Sequence, residues 1–73
     1  MARHVINSEI TGTVFKIETA VGAAVSSGDV LIVLESMKME IPVEAPAAGK
    51  VVEILVAEGE AIAEGQALAT VEG

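Results

Sequence analysis

The sequence predicts an all-β fold, a two-sheet barrel or sandwich closed by two similar halves, and three observations predict it. The apolar residues are 12 Ala, 11 Val, 7 Ile and 4 Leu, with Phe15 the single aromatic. Such an excess of β-branched side chains over Leu favours pleated strands over helices. Residues i and i+37 match over much of the chain, with nine identities in 25 aligned pairs. These are Gly12/Gly49, Val14/Val51, Ile17/Ile54, Ala20/Ala57, Gly22/Gly59, Ala24/Ala61, Gly28/Gly65, Leu31/Leu68 and Glu35/Glu72. Glycines also fall between the apolar runs, where a corner needs a tight turn or positive φ. Two copies are too few for a stacked solenoid, so the halves should close on each other around a pseudo-twofold axis and share one core.

Taken in order, Val5–Asn7 is a short apolar opening segment, and Gly12–Ile17 follows the Ser8–Thr11 turn with Val14 and Ile17 directed inward. Ala24–Val25 is an apolar step held between Gly22 and Gly28. Val30–Ser36 is the strongest strand and contributes Leu31 and Val33, and Met39–Glu44 returns with Ile41. The second half repeats the scheme: Gly49–Ile54 with Val51 and Ile54, Ala61–Ile62 with Ile62, and Ala67–Val71 with Leu68 and Val71. Val25 completes the predicted core. The Ala-rich stretches Val21–Ser27 and Ala57–Ala63 are composed like helices, but the glycines beside them leave too little length.

The chain has 73 residues and no cysteine, so it holds one small domain over 1–73 without a disulfide or thiolate metal staple. A net charge of −7 argues against a nucleic-acid or anionic-membrane partner, since both require a basic face. The longest apolar run, Val30 to Leu34, cannot span a bilayer, and the first residues do not lead into a signal-peptide core. A cytoplasmic location is expected, or the mitochondrial matrix if the chain was cut from a mitochondrial protein.

The segment Leu34-Glu35-Ser36-Met37-Lys38-Met39-Glu40-Ile41 joins two strong strands with no Gly, Asn, Asp or Pro in the connection. Two-residue hairpin turns normally use Asn-Gly or a similar pair because φ turns positive there. With Met37 and Lys38 as the loop, Ser36 faces Met39, Glu35 faces Glu40 and Leu34 faces Ile41. Like charges directly opposite are unfavourable, and two methionines flank an exposed tip. Three local rules broken within six residues mark a functional site. The bland alternative makes Lys38 a solubilising tip residue with Met37 and Met39 packed on the core edge. Pro42, on the outgoing arm, is tolerable only at an edge or bulge, and His4, in a frayed N-terminus, is surface decoration.

Glu35-Ser36-Met37-Lys38-Met39 resembles the attachment motif of biotin carboxyl carrier domains, part of the biotin/lipoyl attachment family. Glu40 and the Ala45-Pro46-Ala47-Ala48-Gly49 turn extend the resemblance over nearly the whole chain. The first half departs from it in carrying Ser8-Glu9-Ile10-Thr11-Gly12 where many relatives have a Pro-rich turn. The loop from Glu18 to Val21 is also too short for the protruding thumb of some acetyl-CoA carboxylase carriers. The resemblance implies a flattened eight-stranded barrel of two antiparallel four-stranded sheets, with the lysine at one end and the termini at the other.

It further implies that a biotin protein ligase joins biotin to Lys38 through an amide, using a biotinyl adenylate and a base that this chain does not supply. The prosthetic group then shuttles a carboxyl group between biotin carboxylase and carboxyltransferase sites, so the chain is a carrier with no catalytic residue or metal of its own. Met37 and Met39 would suit the site to biotin rather than lipoate. Read from the residues themselves, Glu35 and Glu40 either meet basic groups on the ligase or carboxylase or simply discourage association at an exposed hairpin. The acceptor of the carboxyl group is a property of the carboxyltransferase. A lipoyl carrier usually has Asp before the lysine and Ala after it. An unmodified structural domain of the same fold normally carries a split tip, whereas this chain is continuous there. A Schiff-base lysine would require burial or a neighbouring cation.

Overall fold

A computed structural model describes residues 2–73. Eight strands follow one another: β1 (Arg3–Asn7), β2 (Gly12–Ile17), β3 (Ala24–Val25), β4 (Val30–Ser36), β5 (Met39–Glu44), β6 (Gly49–Ile54), β7 (Ala61–Ile62) and β8 (Ala67–Glu72). They form two antiparallel four-stranded sheets, ordered β1-β8-β6-β3 and β5-β4-β2-β7. Advancing each strand by four converts one order into the other, so the pseudo-twofold axis exchanges the sheets. Every half contributes strands to both sheets, which is why neither half encloses a core alone.

The repeat extends to the irregularities. The β2 ladder skips Phe15 between Val14 and Lys16, and the β6 ladder skips Val52 between Val51 and Glu53. Leu31 of β4 and Leu68 of β8 are likewise unpaired. All four bulges obey the 37-residue spacing read from the sequence. The corner glycines behave the same way, with φ of 90° at Gly28 and 87° at Gly65. Beside them, Ser26 N–H donates to Asp29 Oδ2 at 2.8 Å, and Ala63 N–H donates to Gln66 Oε1 at 3.0 Å.

The core joins Val14, Leu31, Ile32, Leu34, Val51, Ile62, Leu68, Ala69 and Val71. Ile17, Val25, Ile41 and Ile54 pack on its margin, as expected. Val33 does not: Ile32 and Leu34 are buried while Val33 is only half-buried. The bulge at Leu31 changes the inward phase of β4, so simple alternation from Leu31 points to the wrong neighbours. The N-terminus also departs from expectation. β1 begins at Arg3, His4 pairs with Val71, and Ala2 and Gly73 exchange backbone hydrogen bonds of 2.9 Å, so the strand is not frayed there.

The molecule measures 36 × 18 × 17 Å. Ser36 Oγ donates to the Thr11 carbonyl at 3.2 Å and Glu64 N–H donates to Thr11 Oγ1 at 3.3 Å, gathering the β4–β5 hairpin, the β1–β2 loop and the β7–β8 turn at one end. The paired Ala2 and Gly73 lie at the other. Edge strands β1 and β5 leave the barrel open along an apolar groove of about 690 Å³, with Val5, Ile10, Ile41, Pro42 and Val43 in its walls.

Candidate functional site: a strained lysine hairpin

The β4–β5 ladder has the register expected from the sequence, with Leu34 opposite Ile41, Glu35 opposite Glu40 and Ser36 opposite Met39. Two residues remain for the turn. Met37 has φ 52° and Lys38 has φ 65°, the only non-glycine residues with positive φ among those described. Two successive left-handed residues make a turn of the primed type that suits the twist of a hairpin. An L side chain in that conformation costs about 1–2 kcal/mol, which Asn and Gly largely avoid. Leu34, 1% exposed, anchors the incoming arm in the core, and the Ser36 hydroxyl ties its end to Thr11. The surrounding structure therefore imposes the strain.

Lys38 is exposed and lies outside the groove between β1 and β5. Met37 is 92% exposed and Met39 61%, so neither packs on the core edge as the bland reading had it. Thioethers are usually spent filling gaps inside a fold; here two border the lysine in solvent. Glu35 and Glu40 are also exposed, and no ion pair among the described residues includes either. An open, flexible ammonium beside two carboxylates lacks the burial or neighbouring cation that would activate a Schiff-base lysine. What the geometry offers is a solvent-exposed amine at the tip of a two-stranded arm.

Pro42 pairs with Val33 on β5, an edge strand. Hydrogen-bonded pairs alternate with non-bonded ones away from Ser36–Met39, so the missing N–H of Pro42 faces the free edge and costs no ladder bond. The sequence signals did not disclose the Ser36–Thr11 contact, because it joins a hairpin to a loop 25 residues earlier.

The family model described as biotin-requiring enzyme matches residues 2–71. The Biotinylated protein TB7.3 homolog of Mycobacterium leprae is 41% identical over 66 residues, which is 90% of this chain and 93% of that protein. The alpha3 subunit of a biotin-dependent acyl-coenzyme A carboxylase from the same organism is 40% identical over 67 residues, but the chain spans only 11% of it. Among solved structures, Kluyveromyces lactis urea carboxylase superposes with a TM-score of 0.92 at 36% identity, covering 99% of this chain and 6% of that one. The lipoyl domain of the Azotobacter vinelandii 2-oxoglutarate dehydrogenase complex gives a TM-score of 0.75 at 28% identity, covering 86% and 80% respectively. The lipoyl domain shares the fold at lower similarity, whereas the sequence relatives named here are biotinylated or biotin-dependent. With residues 2–71 accounted for by that family model and a Met-Lys-Met turn at its tip, the chain belongs to the family of biotin-requiring enzymes, as a biotinyl domain.

Proposed function

We propose that this domain is a biotin carboxyl carrier whose Lys38 Nζ is joined to the carboxyl carbon of biotin by an amide bond. The observation that carries this reading is the exposed Lys38 in a left-handed turn between two solvent-facing methionines. The residues fit such a group: the amine is unobstructed, stands on a rigid two-stranded arm and has no cavity around it to confine what it carries. When bound, biotin supplies the nitrogen that takes up and releases the carboxyl group.

The chain's own contribution is placement. The β4–β5 ladder and the Leu34 anchor limit movement of the lysine backbone, so mobility is confined to the lysine side chain and its extension. Tethering replaces diffusion with a high effective concentration at each active site that the tip can enter. Amide formation removes the ammonium charge, leaving the tip with the carboxylates of Glu35 and Glu40. Those two side chains are the acidic feature that basic groups of a biotin protein ligase would read, and Met37 and Met39 supply apolar contact beside the amine. The partners of the finished carrier are a biotin carboxylase and a carboxyltransferase.

Intact mass tests the reading. The apo domain, incubated with a biotin protein ligase, ATP and biotin, should gain one biotinyl increment, and Lys38→Arg should gain none. A parallel reaction with a lipoyl ligase should leave the mass unchanged. No increment with a ligase active on a control acceptor, or efficient lipoylation instead, would overturn it.

A further inference from the structure

The chain has no cysteine, tryptophan or tyrosine, and three methionines hold all of its sulfur. Thioethers are therefore the groups in it that a peroxide oxidises first. Among the described residues the sulfur is concentrated at one place: Met37 lies in the lysine turn and Met39 opens β5 directly after Lys38. A methionine packed in a core is shielded from oxidant by its neighbours, but the fold withholds that protection here. Met37, in a left-handed conformation beyond the last ladder pair, is 92% exposed, more than any other large apolar side chain described. Met39, which pairs with Ser36, is 61% exposed. Oxidation follows exposure, so this difference sets the order of attack.

Oxidation at these two positions changes what surrounds the amine. A thioether is apolar and desolvates cheaply, whereas a sulfoxide is polar, chiral and a strong hydrogen-bond acceptor. Burying it against a partner without a donor costs free energy that the thioether does not. The change does not depend on which partner arrives, because any protein that acts on Lys38 approaches an amine bordered by both sulfurs in sequence.

We propose that Met37, followed by Met39, is a reversible oxidation site at which a hydroperoxide turns the tip of the domain from apolar to polar and slows transfer at Lys38. The sulfur lone pair attacks the distal peroxide oxygen, and the O–O bond breaks as the S–O bond forms. The oxygen that leaves takes up the proton, so hydrogen peroxide ends as water. Sulfur loses two electrons and the peroxide gains them. A methionine sulfoxide reductase reverses the step with two thiols, which become a disulfide while the sulfoxide oxygen departs as water. The chemistry at sulfur is independent of any partner, and its consequence at Lys38 rests on the biotinyl reading.

The test starts from the apo domain, so that the thioether of biotin itself takes no part, treated with hydrogen peroxide that is then removed. Trypsin cuts after Arg3, Lys16, Lys38 and Lys50, so Met37 and Met39 leave on separate peptides whose masses are read independently. Met37 should oxidise within about twofold of the rate of free methionine, and Met39 more slowly. Offered to a biotin protein ligase with ATP and biotin, the oxidised domain should show a kcat/KM lower by about fivefold or more, the weight of one interface contact. Methionine sulfoxide reductase should restore it. The Met37→Leu/Met39→Leu variant, compared only with its own untreated sample, should be indifferent to peroxide. Faster oxidation of Met39, protection of both sulfurs, equal biotinylation of oxidised and reduced domain, or an equal loss in the double variant would each overturn the proposal and leave the carrier assignment standing. If the reduced wild type accepts no biotin, the carrier reading falls and the effect proposed at Lys38 falls with it.

Discussion

Glu35 and Glu40 face each other across the base of the lysine hairpin, at the position where Glu72 and Arg3 form an ion pair in the other sheet. The two settings share backbone architecture and differ in one partner's sign. A like-charge cross-strand pair is destabilising, so this end of the molecule forgoes a contact that the other end makes.

Replacing Glu40 by Arg copies the arrangement at the termini. For exposed pairs the gain is small, about 0.2–1 kcal/mol, which corresponds to a rise of a few degrees in Tm for a domain of this size. The gain should shrink in high salt. Biotinylation by the ligase should fall in the same variant. Melting curves and acceptor kinetics on one preparation decide it: higher stability with unchanged biotinylation would mean that the carboxylates are not read by the ligase.

The turn stores backbone strain that Asn and Gly would relieve. Met37→Asn combined with Lys38→Gly should stabilise the domain by about 1–2 kcal/mol, raising Tm by roughly 5–15 °C, while abolishing the acceptor amine. A thermal melt unchanged from wild type would show that the left-handed conformations of Met37 and Lys38 cost nothing.

Leu34 connects the hairpin to the core. Leu34→Ala should destabilise by about 2–5 kcal/mol, a large share of the total stability of a domain this small. Urea unfolding followed by circular dichroism should show a midpoint well below that of wild type. A midpoint near the wild-type value would mean that the arm is held from outside the core.

Because each half supplies strands to both sheets, separate peptides for 1–37 and 38–73 should show no β-sheet signal by circular dichroism, and the intact chain should melt in a single transition. A folded half, or two resolved transitions, would contradict the shared core.

Strand positions were legible because this chain marks its corners with glycine and its strands with Val and Ile. The register at the tip follows once Met37 and Lys38 are taken as a two-residue loop, an assumption that no turn-forming pair between Leu34 and Ile41 supported and that the ladder bears out. The core assignment failed at Val33, where the unpaired Leu31 changes the inward phase of β4. Bulges arise from how strands of different lengths meet around a barrel, and nothing local to Val30–Ser36 announces one.

By itself the sequence determined the doubled all-β organisation, the strand positions along the chain and the residue at the tip of the central hairpin, all of which depend on periodicity and local backbone preference. Tertiary structure alone decided which side chains meet across the strands. Arg3 and Glu72 are 69 positions apart, and Thr70 and Glu53 are 17 apart. Their pairing arises only when closure of the sheets brings distant strands side by side.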